Sequence, residues 1–258
     1  MSEIKRKGAS RIADIPPDIL QQINRGEIET ANLMECLAID FEQLLRAALP
    51  ALPPAAIAQM AENSGLGWLA KTHLASQIIY KNFGADCIKE LLAHKADNVR
   101  GWAAGVITLI PDLSIAQRLK MVLPLADDTN SGTRELAWIL LRPHITNDVL
   151  LSIKFLADWV KSDSANIRRY AVEITRPRGV WCSHISELKQ NPELAVMLLE
   201  PLKNDNSRYV QNSVANWLND AAKTNADWVL NLTEKWLAQS TSKETVYICK
   251  RARRSIVF

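Results

Sequence analysis

The stretch ANIRRYAVEITRP, residues 165–177, decides the reading of this chain. Ile167, Tyr170, Ala171 and Ile174 recur at helical spacing and make one apolar face. Arg169, Glu173 and Arg176 recur at the same spacing on another face, so one carboxylate sits in a row of guanidiniums. The pattern is not solitary. NSGTRELAWILLRP (130–143) and DNVRGWAAGVITLIP (97–111) carry Arg134 and Arg100, which precede Arg168 by successive steps of 34 residues. Arg142-Pro143 and Arg176-Pro177 fall at one offset, as do Ala137 and Ala171. NSRYVQNSVANWLND (206–220) and SKETVYICKRARRSI (242–256) read as two further, divergent copies.

Amphipathic segments at 85–94, 114–125, 148–161, 192–202 and 226–238 lie between these copies. Helix pairs at this period are the signature of HEAT-like repeats, whose apolar faces are buried only by stacking on their neighbours. The chain has only 9 glycines and no alternating run of β-branched residues bounded by turns. The fold class expected is all-α: a right-handed helical solenoid of HEAT-like helix pairs with a concave basic groove. A single domain over 1–258 is expected, with N-terminal helices over 1–84 and repeats over 85–258. In such stacks the second helix of each pair lines the concave side. Here that row carries Arg168, Arg169, Arg176, Arg178, Lys250, Arg251, Arg253 and Arg254. Arginines after the turn between helices have two readings: pairing with turn acids, or binding phosphates.

Composition sets outer bounds. With 48% hydrophobic and 23% charged residues in 258, the chain has the make-up of a globular protein. No apolar run approaches a membrane span. The start, MSEIKRKGASRIAD, lacks a secretory apolar stretch and is read as flexible. Cys36, Cys87, Cys182 and Cys249 are scattered without C-x-x-C, which fits a reducing cytoplasm and argues against a thiolate zinc site. His73, His94, His144 and His184 are likewise dispersed, so no metal is expected. The sequon at Asn231 lies in a predicted helix and is discounted. Net charge is +3, but residues from 164 onward hold 14 Lys/Arg against 9 Asp/Glu, which invites a nucleic acid partner.

Several chemistries have no motif here. There is no phosphate loop and no serine elbow. Gly65, Gly67 and Ala70 match a dinucleotide-type spacing, but without a preceding strand they read as a turn between helices. The carboxylates Glu173 and Asp220 remain, on successive second helices. Glu173 pairs at helical spacing with Arg169 and Arg176, which by itself is a surface ladder. Asp220 stands near a helix C-terminus, where an acid opposes the helix dipole. Ser213, Asn216, Asp220 and Lys223 form a row facing away from the apolar face of that helix. Of 8 tryptophans, Trp68, Trp102, Trp159, Trp228 and Trp236 read as core. Trp138, Trp181 and Trp217 fall on or just after the second helices, where they are either core or base-stacking.

RRYAVEITRPRGVWCSHI, LLEPLKNDNSRYVQNSVANWLNDAAK and YICKRARRS resemble the DNA alkylation repair proteins of the HEAT-like-repeat glycosylase superfamily. The resemblance is nearest to the AlkC branch and more distant to AlkD. It implies a monofunctional DNA glycosylase that removes cationic alkylated bases such as 3-methyladenine without flipping them into a deep pocket. Glu173 and Asp220 match the carboxylates of the reaction centre. Arg169, Arg176 and Trp181 match positions near the DNA, and Arg168, Arg178, Trp217, Lys250, Arg251 and Arg254 are further candidate contacts. The implied partner is double-stranded DNA containing alkylated bases, bound by a monomer without cofactor or membrane. Some relatives carry an acid in the preceding repeat, where this chain has Trp138 or Ile139. Some also carry a C-terminal immunoglobulin-like domain, which is not expected in this chain.

Overall fold

The structure, a computed structural model, describes residues 6–256. Those residues form α-helices and short 3₁₀ turns, with no strand among them. None of the helices is long and apolar enough to cross a membrane. The chain divides into two compact units, Met1–Leu113 with Lys120–Leu140 and Ser114–Leu119 with Leu141–Phe258.

The first unit holds α1 (Pro17–Asn24), α2 (Leu33–Leu37), α3 (Phe41–Ala48), α4 (Pro54–Glu62), α5 (Trp68–Phe83), α6 (Ile88–Leu92) and α7 (Asp97–Leu109). Helices α8 (Ile115–Ala126) and α9 (Ser131–Thr146) are each divided between the units. The second unit holds α10 (Val149–Trp159), α11 (Ala165–Ile174), α12 (Ser186–Gln190), α13 (Val196–Leu199), α14 (Arg208–Ala222), α15 (Ala226–Gln239) and α16 (Lys243–Ala252).

The start is less free than its composition suggests. Met1–Lys5 lie outside the described residues, but Arg6 donates to both oxygens of buried Glu35, and Asn32 Nδ2 donates to Ala9 O. The segment at 192–202, expected as one helix, is a 3₁₀ turn, one turn of α-helix and a second 3₁₀ turn. Pro192 can open a helix, but Pro201 has no N–H to continue one.

In the second unit α14 packs between α11 and α16. Tyr170, Val214, Trp217, Leu218 and Ile248 are buried along this stack. The helices begin where the sequence supplies caps: Ser164 Oγ accepts from Asn166 N at α11, and Ser242 Oγ from Thr245 N at α16. Each unit repeats one arginine device. Arg100, the fourth residue of α7, donates Nη1 to His94 O and Lys95 O and grips Asp128 with Nε and Nη2 at 2.7 and 2.9 Å. Arg168, the fourth residue of α11, donates Nη1 to Ser162 O and Asp163 O and grips Asp205 at 2.6 and 3.0 Å. Gln211, fourth in α14, donates to Asp205 O at 2.7 Å. The 34-residue arginine therefore closes the turn between helices and ties it to the next repeat. Arg168, expected at DNA, is held in this scaffold role.

Candidate active site and nucleic-acid interface

Helix α11 ends because Thr175 Oγ1 donates back to Ala171 O and the backbone tightens to Thr175 N→Val172 O and Arg176 N→Glu173 O before Pro177. That turn aims Arg176 across to α14. Its Nη1 donates to Glu173 Oε2 at 3.1 Å, and its Nε and Nη2 donate to Asp220 Oδ2 at 2.9 and 2.7 Å. Two carboxylates from adjacent repeats thus meet on one guanidinium. Both are buried, with 4% and 6% of their side-chain surface exposed. Their remaining oxygens also face cations: Glu173 Oε1 lies 3.5 Å from Arg169 Nη2, and Asp220 Oδ1 accepts from Lys223 Nζ at 3.3 Å. Burial works against the charge of Arg176, but the two carboxylates outweigh it and raise its pKa.

A cationic border surrounds this pair. Arg178 Nε donates to Asp220 O at 3.2 Å. Arg169 stacks over Tyr209 at 4.2 Å, and Arg208 and Arg251 lie over Tyr247 at 3.6 and 5.6 Å. Arg254 is exposed and donates to Asn216 Oδ1 at 3.0 Å, while Lys250 is exposed on α16. Burial, and then the neighbouring Arg251, lower the pKa of Arg254. Trp181 stands on the loop after α11, 53% exposed and with φ +69°.

The structure brings Glu173, Asp220, Arg169, Arg176 and Arg178 together. It removes others from the surface. Trp217 is fully buried and donates Nε1 to Thr175 O at 3.0 Å, so it is a core residue that holds the end of α11, not a DNA contact. Ser213, read as outward-facing, is also buried. Arg253 turns inward to Thr233 Oγ1 and Leu230 O. Trp138 is buried and donates to Glu135 Oε2. Sequence reasoning passed over the stacking tyrosines Tyr209 and Tyr247, whose signal was only an aromatic near arginines. It also gave no role to Arg142, although Arg142-Pro143 repeats as Arg176-Pro177.

Residues 133–255 match the family model described as DNA alkylation repair enzyme. That segment is just under half of the chain. It contains every residue of the cluster, and the resemblance read from the sequence is borne out. YhaZ of Bacillus subtilis, an uncharacterized protein, is 35% identical over 129 residues, 50% of this chain and 35% of that protein. The chain thus matches about a third of this relative's length. Among solved structures, Pseudomonas fluorescens alkylpurine DNA glycosylase AlkC, bound to DNA containing an abasic site analog, aligns with TM-score 0.64 at 22% identity, over 96% of this chain and 65% of that one. AlkD2 from Streptococcus mutans aligns with TM-score 0.63 at 22% identity, over 79% and 98%. These structural likenesses establish the fold, as the all-helical reading expected.

Proposed function

We propose that this chain is a monofunctional DNA glycosylase that excises cationic alkylated bases such as 3-methyladenine from double-stranded DNA, acting as a cytoplasmic monomer. The observation that carries the reading is the meeting of Glu173 and Asp220, from successive repeats, on one guanidinium inside a cationic border, with exposed Trp181 on the loop that follows α11. An N-alkylated adenine is already positively charged, so it departs with the bonding electrons of the glycosidic bond without a general acid. The sugar is left as an oxocarbenium ion. One carboxylate opposes that developing charge and the other orients the water that adds to the anomeric carbon and takes up its proton, loosely as in inverting glycoside hydrolysis. Asp220, accepting from Arg176 and Lys223, is held in one orientation for such work. Arg169, Arg178 and the α16 cations hold phosphates, Arg176, expected at the DNA, holds the two carboxylates instead, and Trp181 lies against the lesion strand. The neighbour AlkC, bound to abasic-site DNA, supports a DNA partner.

The test is base release from methylated DNA, measured by chromatography. Wild type should release 3-methyladenine, while Asp220→Asn and Glu173→Gln should each lose roughly a hundredfold in single-turnover rate, the scale of one preorganised electrostatic contact. Equal release by all three would end the carboxylate assignment. A second reading, a repeat protein that binds DNA or a protein partner without excision, is favoured by one fact: Glu173 and Asp220 already face cations on every oxygen. No release by wild type, with DNA still bound, would establish that second reading.

A further inference from the structure

Arg142, in α9, is the second unit's most deeply buried guanidinium, with 1% of its surface exposed. It donates Nη1 to Ile174 O at 2.8 Å, Nη2 to Arg176 O and Nε to Ser183 O at 3.0 Å. No carboxylate accepts from it in these bonds. All three acceptors are backbone carbonyls of the next repeat, and they bracket the segment 174–183. That segment carries Arg176, Arg178 and Trp181. Burial lowers the pKa of Arg142, so its charge is held at a cost that the three carbonyls offset.

In the next copy, α11, this place falls to Arg176; two copies on, in α14, a neutral residue takes it. Asn219 occupies the corresponding place in α14, the twelfth helical residue, and donates Nδ2 to Ala252 O of α16 at 3.1 Å. Its Oδ1 also accepts from Ser255 Oγ at 3.2 Å, just past α16. Arg142 makes the same bond to the tenth residue of its neighbouring helix, Ile174, and adds two more that reach into the loop. Those two bonds fall on the segment that runs from Arg176 of the carboxylate cluster past the exposed Trp181.

We propose that Arg142 is a positioning residue: by gripping three carbonyls of 174–183 it fixes Arg176 toward Glu173 and Asp220 and fixes Trp181 at the DNA. The proposal rests on the DNA-binding part of the reading above and not on excision. Arg142 touches neither DNA nor the reacting atoms.

The test is a double-mutant cycle between Arg142→Gln and Trp181→Ala, read as affinity for a duplex containing an abasic-site analogue and, separately, as the thermal midpoint. Working well below the midpoint of each variant, Arg142→Gln should weaken binding about tenfold in the wild-type background and hardly at all once Trp181 is removed, the coupling expected of groups joined through one segment. Base release should fall with kcat and KM both altered. Arg142→Lys keeps the charge but cannot span three carbonyls, so it should fall between wild type and Arg142→Gln. If Arg142→Gln does not fold, wild-type affinity in Arg142→Lys overturns the proposal. A lowered midpoint with unchanged affinity, or equal losses in both Trp181 backgrounds, overturns it as well. If wild type releases no base, the glycosylase reading fails while the affinity cycle still decides this one.

Discussion

At the scale of single residues, identity alone did not separate the arginines. Arg168 and Arg169 are neighbours on α11, yet Arg168 closes a turn and Arg169 reaches Glu173 and Tyr209. Arg168→Ala should cost about 3 kcal/mol by leaving Asp205 buried without its cation, and denaturant unfolding would show it. DNA affinity of the folded variant should stay near wild type. Trp217→Ala should cost about 3–5 kcal/mol for the lost core volume. Trp181→Ala should leave stability within about 0.5 kcal/mol, as an exposed position does, and weaken DNA binding instead. The contrast between two tryptophans of similar sequence context separates core from interface.

At the scale of elements, the informative unit is a helix end with its following loop. Helix α11 stops at Ile174 while α9 runs through Pro143, although both carry Arg-Pro at the same offset. The difference lies in the neighbours: Arg142 takes Ile174 O and Trp217 takes Thr175 O, which stabilises the opened turn. Gly179 lies within that loop, where an added Cβ would meet Cys182 O at 2.5 Å. Backbone cannot yield as a side chain would, so Gly179→Ala should displace Trp181 and weaken DNA binding, measured by fluorescence anisotropy on a labelled duplex. The Arg6–Glu35 clasp on α2 has a pH signature. Burial pushes the Glu35 carboxyl up, but Arg6 and the Ala31 N–H outweigh it and the net pKa is lowered. Its folded pKa lies below the unfolded value, so its stabilisation is complete above the usual carboxylate range and is lost as pH falls through the folded value. Glu35→Gln should therefore cost about 1–2 kcal/mol at neutral pH, and the gap from wild type should close in acid, followed by thermal melts across pH.

At the scale of the whole molecule, charge distribution matters more than net charge. The excess of basic residues after 164 includes Lys250, Arg251 and Arg254 on and after α16. Binding to an undamaged duplex should weaken steeply with salt, and Lys250→Ala or Arg254→Ala should each lower the log–log slope by about one. Arg168→Ala, by contrast, should leave the slope unchanged, since that guanidinium is already neutralised by Asp205.

The sequence by itself determined the helical class, the repeat and the pair of acids, because periodicity and spacing are local properties of the chain. Gly105 and Ile139 at the repeat position of Glu173 already signalled that no carboxylate is needed there for packing. Gly105 sits where a Cβ would strike Ser76 Oγ, and Ile139 is buried. Only the tertiary structure decided which cations serve the scaffold and which serve the cluster. A guanidinium reaches several ångströms in many directions, so its partner is set by what the next repeat presents. Asp205 answers Arg168, Asp220 answers Arg176, and bare carbonyls answer Arg142.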